Sequence, residues 1–328
     1  MKPTVLRAAA PLAGALLASA LLGCGGGVDV SYRRTTGEVR SYVRTLDVQG
    51  ANPSGVQGRV RQEVSTRETA VEVQRGEQAT VRVELQRFLM EVFRGEGKEP
   101  VLRMDTRIPE DPKAPVKEPE TEAEKFAWAI GPLRQVAGCS IEVDQQFTGK
   151  ILRFDGVEAL QKKVLDSVPE GDARRPTLER MPWTLWLANL LAPAIGVPGR
   201  GMTLGADLKF ADMRTLPETT GTGGYMYYAG NYRLAKVEAG VARLEMEADV
   251  FLDPLKGMPP WPKAMAPRRN FLRLQKGACK GWARIDVETG VLEEDEHVTE
   301  LDLYFVKPDG KGEVAIPTKV TLRSKLVR

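Results

Sequence analysis

The sequence predicts an α+β protein, mainly β, built on a large curved antiparallel sheet with a few helices inserted between its halves. Three observations predict this class. Apolar and polar residues alternate with a period of two over most of the chain, the mark of strands that bury one face. Turn-forming clusters such as Gly50-Ala51-Asn52-Pro53-Ser54-Gly55 and Lys307-Pro308-Asp309-Gly310 separate these runs. Between residues 157 and 191 the apolar spacing changes to that of helices.

Taken in order, the runs 38–48, 56–73 and 78–92 read as antiparallel neighbours. In the third, Val81, Val83 and Leu85 share one face and Arg82 and Glu84 the other. Residues 107–122 break the pattern, because Pro109, Pro112, Pro115 and Pro119 are interleaved with charge. Such a segment lacks backbone donors and has little to bury, so it reads as a solvated loop. Strands resume at 138–147 and 150–155 around the turn Thr148-Gly149. A helix over 157–168 places Val157, Leu160, Val164, Leu165 and Val168 on one face. The very apolar segment 181–197 is helical at least through Leu191.

The last third returns to strands at 224–237, 241–252, 271–287, 292–306 and 313–327. The chain therefore divides into a first β lobe (28–155), a helical insert (156–205) and a second β lobe (206–328). A strand, a Thr-Gly turn and a returning strand recur at 141–152 and 285–292. Duplicated lobes would produce this echo, and so would the ordinary use of Thr-Gly in hairpins.

The N-terminus has its own logic. Lys2 and Arg7 precede a mostly apolar run, Ala8 to Leu22, that is shorter than the roughly 20 residues needed to span a bilayer. The motif that follows, Leu21-Leu22-Gly23-Cys24, resembles the lipobox of bacterial lipoproteins. That resemblance implies a cleaved signal over residues 1–23, lipidation of Cys24 with acylation (palmitate) of its freed amine, and a lipidated tether over 24–27. Gly25, where an Asp would signal retention, implies the periplasmic face of the outer membrane. Each buried CH2 contributes about 0.8 kcal/mol, so two or three chains anchor essentially permanently.

Charge narrows the choice of partner. The 47 Lys and Arg are interspersed with 44 Asp and Glu, which is not the basic patch of a nucleic-acid binder. With Cys24 lipidated, Cys139 and Cys279 remain, and an oxidising envelope permits a disulfide between them. Two buried free thiols are the other reading.

Catalytic signatures are sparse. The one histidine, His297, follows Glu293-Glu294-Asp295-Glu296, and reads as a solvated hairpin end because the acidic run lacks the Gly-punctuated spacing of a calcium loop. No H-E-x-x-H, G-x-S-x-G or S-x-x-K arrangement occurs. No catalytic residue, metal ligand or cofactor is therefore assigned. The sequence 221–224, Gly-Thr-Gly-Gly, reads as a flexible entry to a strand rather than a phosphate loop.

The candidates for ligand contact are apolar. Trp183, Trp186, Leu187 and Leu190 lie within nine residues and cannot all face water. They either pack on the sheet as core or form a lid over a concavity that accommodates lipid. Tyr225, Tyr227, Tyr228 and Tyr232, and the Pro-rich loop 253–270 with Met258, Trp261 and Met265, are further candidate surfaces. In architecture the chain resembles β-rich envelope lipoproteins and the half-barrel lipoprotein-localisation factors, whose concave face holds acyl chains. This resemblance implies a non-enzymatic binding or interaction module for an apolar or lipid ligand. A structural scaffold binding protein or cell-wall polymer, and a hydrolase acting through paired carboxylates, are the alternatives.

Overall fold

In the computed structural model, which describes residues 27–51, 57–74, 78–95, 97–108, 131–194, 196–216, 224–258, 260, 271–307 and 312–327, alternation becomes strand nearly everywhere it was read. The strands are β1 (Val28–Val30), β2 (Val39–Ala51), β3 (Gln57–Gln74), β4 (Gln78–Arg94), β5 (Leu102–Asp105), β6 (Ser140–Gln146) and β7 (Ile151–Asp155). After the helices come β8 (Arg200–Met202), β9 (Asp207–Leu216), β10 (Gly224–Glu238), β11 (Val241–Phe251), β12 (Leu272–Asp286), β13 (Leu292–Val306), β14 (Glu313–Ala315) and β15 (Thr318–Val327). The helices are α1 (Val157–Asp166), α2 (Arg175–Arg180) and α3 (Trp183–Leu191). Cys24 and the signal, the prolines of 109–119, residues 221–223, and Trp261 with Met265 lie outside the described residues.

Thirteen strands form one sheet, in the order β7-β6-β4-β3-β2-β15-β13-β12-β11-β10-β9, with β5 beside β4 and β14 beside β13. Every pairing is antiparallel. The last long strand, β15, lies between β2 and β13, so the end of the chain joins its first and second halves. A separate two-stranded ribbon pairs β1 with β8.

Local chemistry explains where elements stop. Helix α3 ends at Leu191 because Pro193 follows, and Ala192, the residue before it, is extended (ψ 143°). The single strand read over 313–327 is two strands, separated at Ile316 and Pro317, since proline cannot donate to a ladder. Strand β9 and helix α2 were not legible as elements. In β9 the alternation starts with Leu208 and Phe210 and then places Asp212 and Arg214 in the same phase, which hides the buried face.

Two apolar cores form on the inner side. One packs α1, α2 and α3 on β2, β3, β4 and β6 through residues such as Val64, Val83, Phe88, Leu160, Val164 and Leu187. The other gathers Tyr228, Leu234, Leu244, Ile285 and Leu303 from the later strands. Between them runs a buried polar seam. Glu68 is ion-paired with both Arg34 and Arg44, the latter at 2.6 Å, and all three side chains are at most 5% exposed. Register continues the seam across the sheet, with Arg44 opposite Ser324 and Ser324 opposite Asp295.

Two expectations are corrected here. His297 is not at a solvated hairpin end: it points inward from the middle of β13 and is 1% exposed. Alternation sends Asp295, His297 and Thr299 inside and turns Glu294, Glu296 and Glu300 to the other face, so the acidic run never gathers. Cys139 and Cys279 are both free thiols rather than a disulfide. Cys139 lies beside α1, 3.2 Å from Lys163 Nζ, whereas Cys279 is enclosed in the second core beside His297.

Candidate functional site

The two edge strands of the sheet, β7 and β9, end up facing one cavity. It has a volume of about 800 Å3 and is bounded by Ile151 to Phe154 on one edge, Leu208 to Arg214 on the other, and α3 with Ala192, Pro193, Gly196, Val197 and Pro198 between them. The sheet is therefore curved enough for both of its edge strands to border one cavity, with α3 between them.

Helix α3 separates two roles by its two faces. Trp183, Leu187 and Leu190 are buried in the first core. Trp186 packs edge-on against Phe88 and Trp183, with ring centroids 5.6 and 5.7 Å apart. Of the two readings of these four residues, core on the sheet or lid over a concavity, the structure shows core, and none of them lines the cavity. The opposite stripe, Thr184, Leu185, Ala188 and Asn189, lines it instead, as expected of positions one turn apart. Of the tyrosines, Tyr225 and Tyr232 line the cavity, whereas Tyr227 and Tyr228 are buried. Phe210 stacks on Tyr232 at 4.2 Å.

The segment after α3 acts as a strap across the gap. Val197 N–H donates to Thr148 O (2.9 Å) and Gly199 N–H to Val30 O (3.1 Å), which ties it to the β6–β7 turn and to β1. Gly149 permits that turn, having φ +87° and facing the Tyr32 ring where a Cβ would collide. From the other side, His297 Nδ1 lies 2.9 Å from the Ala194 carbonyl. A carbonyl only accepts, so the proton is on Nδ1 and Nε2 is the acceptor. Nε2, with its single lone pair, then receives the Thr299 hydroxyl (2.6 Å), and the Cys279 sulfur lies 3.0 Å away.

This fixes the chemistry of the Cys279–His297 pair. Burial pushes the thiol up to about 12, and burial together with the Arg214 charge takes the imidazole down to about 3. Both are neutral near pH 7, a thiol and an imidazole rather than a thiolate and an imidazolium. The pair therefore holds the strap as a neutral hydrogen-bond relay.

Arg214 connects the relay to the cavity. It lines the cavity wall with a side chain 17% exposed, its Nη1 is 3.4 Å from Pro193 O, and its nearest carboxylate, Asp212, is 3.7 Å away. Burial opposes its charge, and Asp212 with the surrounding tyrosines holds it protonated. Among the described residues no cluster of three or more His, Cys, Asp or Glu side chains is arranged to hold a metal, and no helix is long and apolar enough to cross a membrane.

Comparison with known proteins adds little beyond shape. No family model matches the chain, and no curated protein matches it. Among solved structures, one titled "lipid-protein interactions in lipovitellin" is 10% identical with a TM-score of 0.42, covering 90% of this chain and 26% of that one. This chain thus spans about a quarter of that protein. OccK5 (OpdH) of Pseudomonas aeruginosa is 8% identical (TM-score 0.19, 89% of this chain and 98% of that one). The translocator domain of the Neisseria meningitidis autotransporter NalP is 7% identical (TM-score 0.15, 96% of each chain). At these scores the likenesses carry no functional argument.

Proposed function

We propose that this chain is a lipid-anchored protein of the bacterial envelope, on the periplasmic face of the outer membrane, that binds an apolar ligand without catalysis. The observation that supports this reading is the cavity between the sheet edges. Its volume of about 800 Å3 lies within the roughly 300–1,000 Å3 range of small-ligand sites, and much of its wall is apolar side chain from α3, β7 and β9. The tether bears on it as well. Strand β1 begins four residues after Cys24 and hydrogen-bonds to the strap that walls the cavity, so an anchor at Cys24 would hold the cavity near the bilayer.

Two measurements test the two halves of the proposal. Ala188→Trp fills the cavity from the α3 face that does not serve the core, and is expected to weaken binding of the neutral fluorophore N-phenyl-1-naphthylamine by about tenfold or more. Unchanged affinity would place the ligand elsewhere. For the anchor, Cys24→Ala is expected to abolish labelling by palmitate in cells and to move the protein out of the membrane fraction; continued labelling would contradict the assignment.

A further inference from the structure

Apolar wall alone does not say which apolar molecule enters, and the distribution of charge around the cavity does. Four basic side chains line it, Lys150, Arg153, Lys209 and Arg214, against one carboxylate, Asp212. Arg153 is already committed to Asp144 and Asp155 at 3.1 and 2.7 Å. Lys150 and Lys209 are exposed at the rim and make no ion pair among the described residues. Arg214 is the exception in depth.

A guanidinium carries five N–H donors in a rigid fork. Arg214 uses them thinly, on one carbonyl at 3.4 Å and one carboxylate at 3.7 Å, contacts too long to saturate the group. Tyr232 lines the same wall and stacks on Phe210, and its hydroxyl makes no hydrogen bond among the described residues. The cavity therefore has a polar donor end, at Arg214 and Tyr232, and an apolar flank along Leu185, Ala188 and Ile151.

We propose that the cavity takes a single-chain amphipath with an anionic head, the head held by Arg214 and Tyr232 and the chain laid along α3. The proposal rests on the cavity being the binding site, and it names the ligand class for it. Charge complementarity selects the occupant: a buried cation with spare donors favours an acid, while a neutral hydrocarbon would leave those donors unanswered. A free fatty acid and a lysophospholipid with an anionic headgroup both meet this description.

The test uses the whole chain in detergent-free nanodiscs or as the soluble Cys24→Ala protein, with four probes: palmitic acid, its methyl ester, lysophosphatidylglycerol and neutral N-phenyl-1-naphthylamine. On the unaltered cavity the acid is expected to bind at least about tenfold tighter than the ester, with an affinity that falls as salt rises. Arg214→Met is expected to erase that preference, and Arg214→Lys to restore part of it. Acid and ester binding equally to the unaltered cavity would overturn the proposal, even if Arg214→Met failed to fold. A preference that survives in Arg214→Met would overturn it too. If the neutral probe binds and the acid has no advantage, only the ligand class fails; if none of the probes binds, the cavity reading itself fails. Tighter binding of lysophosphatidylglycerol than of palmitate would identify the headgroup as a lipid phosphate, and the reverse a free carboxylate.

Discussion

Replacing Glu68 by Ala is expected to lower the unfolding free energy by about 3–5 kcal/mol, the scale on which removing one partner of a buried ion pair destabilises. The size follows from the geometry. Glu68 is the one carboxylate shared by Arg34 and Arg44, and all three are buried in the seam between the two apolar cores. Without it, two guanidinium charges remain inside beside Thr66 and the face of Tyr42, the latter 4.7 Å from Arg44, with Glu38 as the weaker counter-charge to Arg34. A domain typically has about 5–15 kcal/mol in hand, so much of the margin goes. Burial opposes ionisation of Glu68, but the two arginines overcome it and hold the carboxyl down to about 2. Its contribution is present above its unfolded value near 4.5 and is lost as pH falls toward 2. Urea unfolding of Glu68→Ala beside Glu68→Gln checks this, and a loss below about 1 kcal/mol in Ala would show that the triad is solvated.

The second large effect is a pH dependence set by His297. In the unfolded chain its imidazole takes up a proton near pH 6.5, whereas in the folded protein it stays neutral down to about 3. Between these values the unfolded state binds more protons, so unfolding free energy rises with pH through that window and levels off above it. At about 1.4 kcal/mol per pH unit, the full window is worth on the order of 5 kcal/mol. Carboxylates join in below their own unfolded values, so the clean interval lies between their titration and that of free imidazole. Across this interval, denaturation of the unaltered protein is expected to show a positive slope that His297→Asn removes. A slope equal in both proteins would mean that His297 is not buried neutral against Ala194.

How much of this was legible in the sequence depends on whether polar residues faced outward. Strands β4 and β11 alternate cleanly because their outer faces are charged, with Arg82 and Glu84 on one and Arg243, Glu245 and Glu247 on the other, and β2, β3 and β13 still read as strands although they turn polar residues such as Arg44, Glu68 and Asp295 inward. Helix α3 was legible as an apolar helix, and its Trp and Leu residues as core or lid; only packing decided for core and gave the cavity to Thr184, Leu185, Ala188 and Asn189. The interior polar groups were the obscure part. Glu68, Arg44 and His297 look like surface residues in a sequence, since charged and imidazole side chains are seldom fully buried, and their partners lie on strands distant in the chain. Arg214 and Asp212 concealed β9 for the same reason, and with it one wall of the site. The approach of β7 to β9 is a property of sheet curvature, which no local pattern encodes.

The central claim is that the gap between β7 and β9 is a ligand cavity. Photolabelling tests it most directly, using a neutral long-chain alcohol bearing a diazirine on the full-length protein in membranes, followed by peptide mapping. The account predicts adducts on Thr184, Leu185, Ala188 and Asn189 and on Leu208 to Arg214, and their loss in Ala188→Trp. Adducts confined to other surfaces, or unchanged by that substitution, would contradict it.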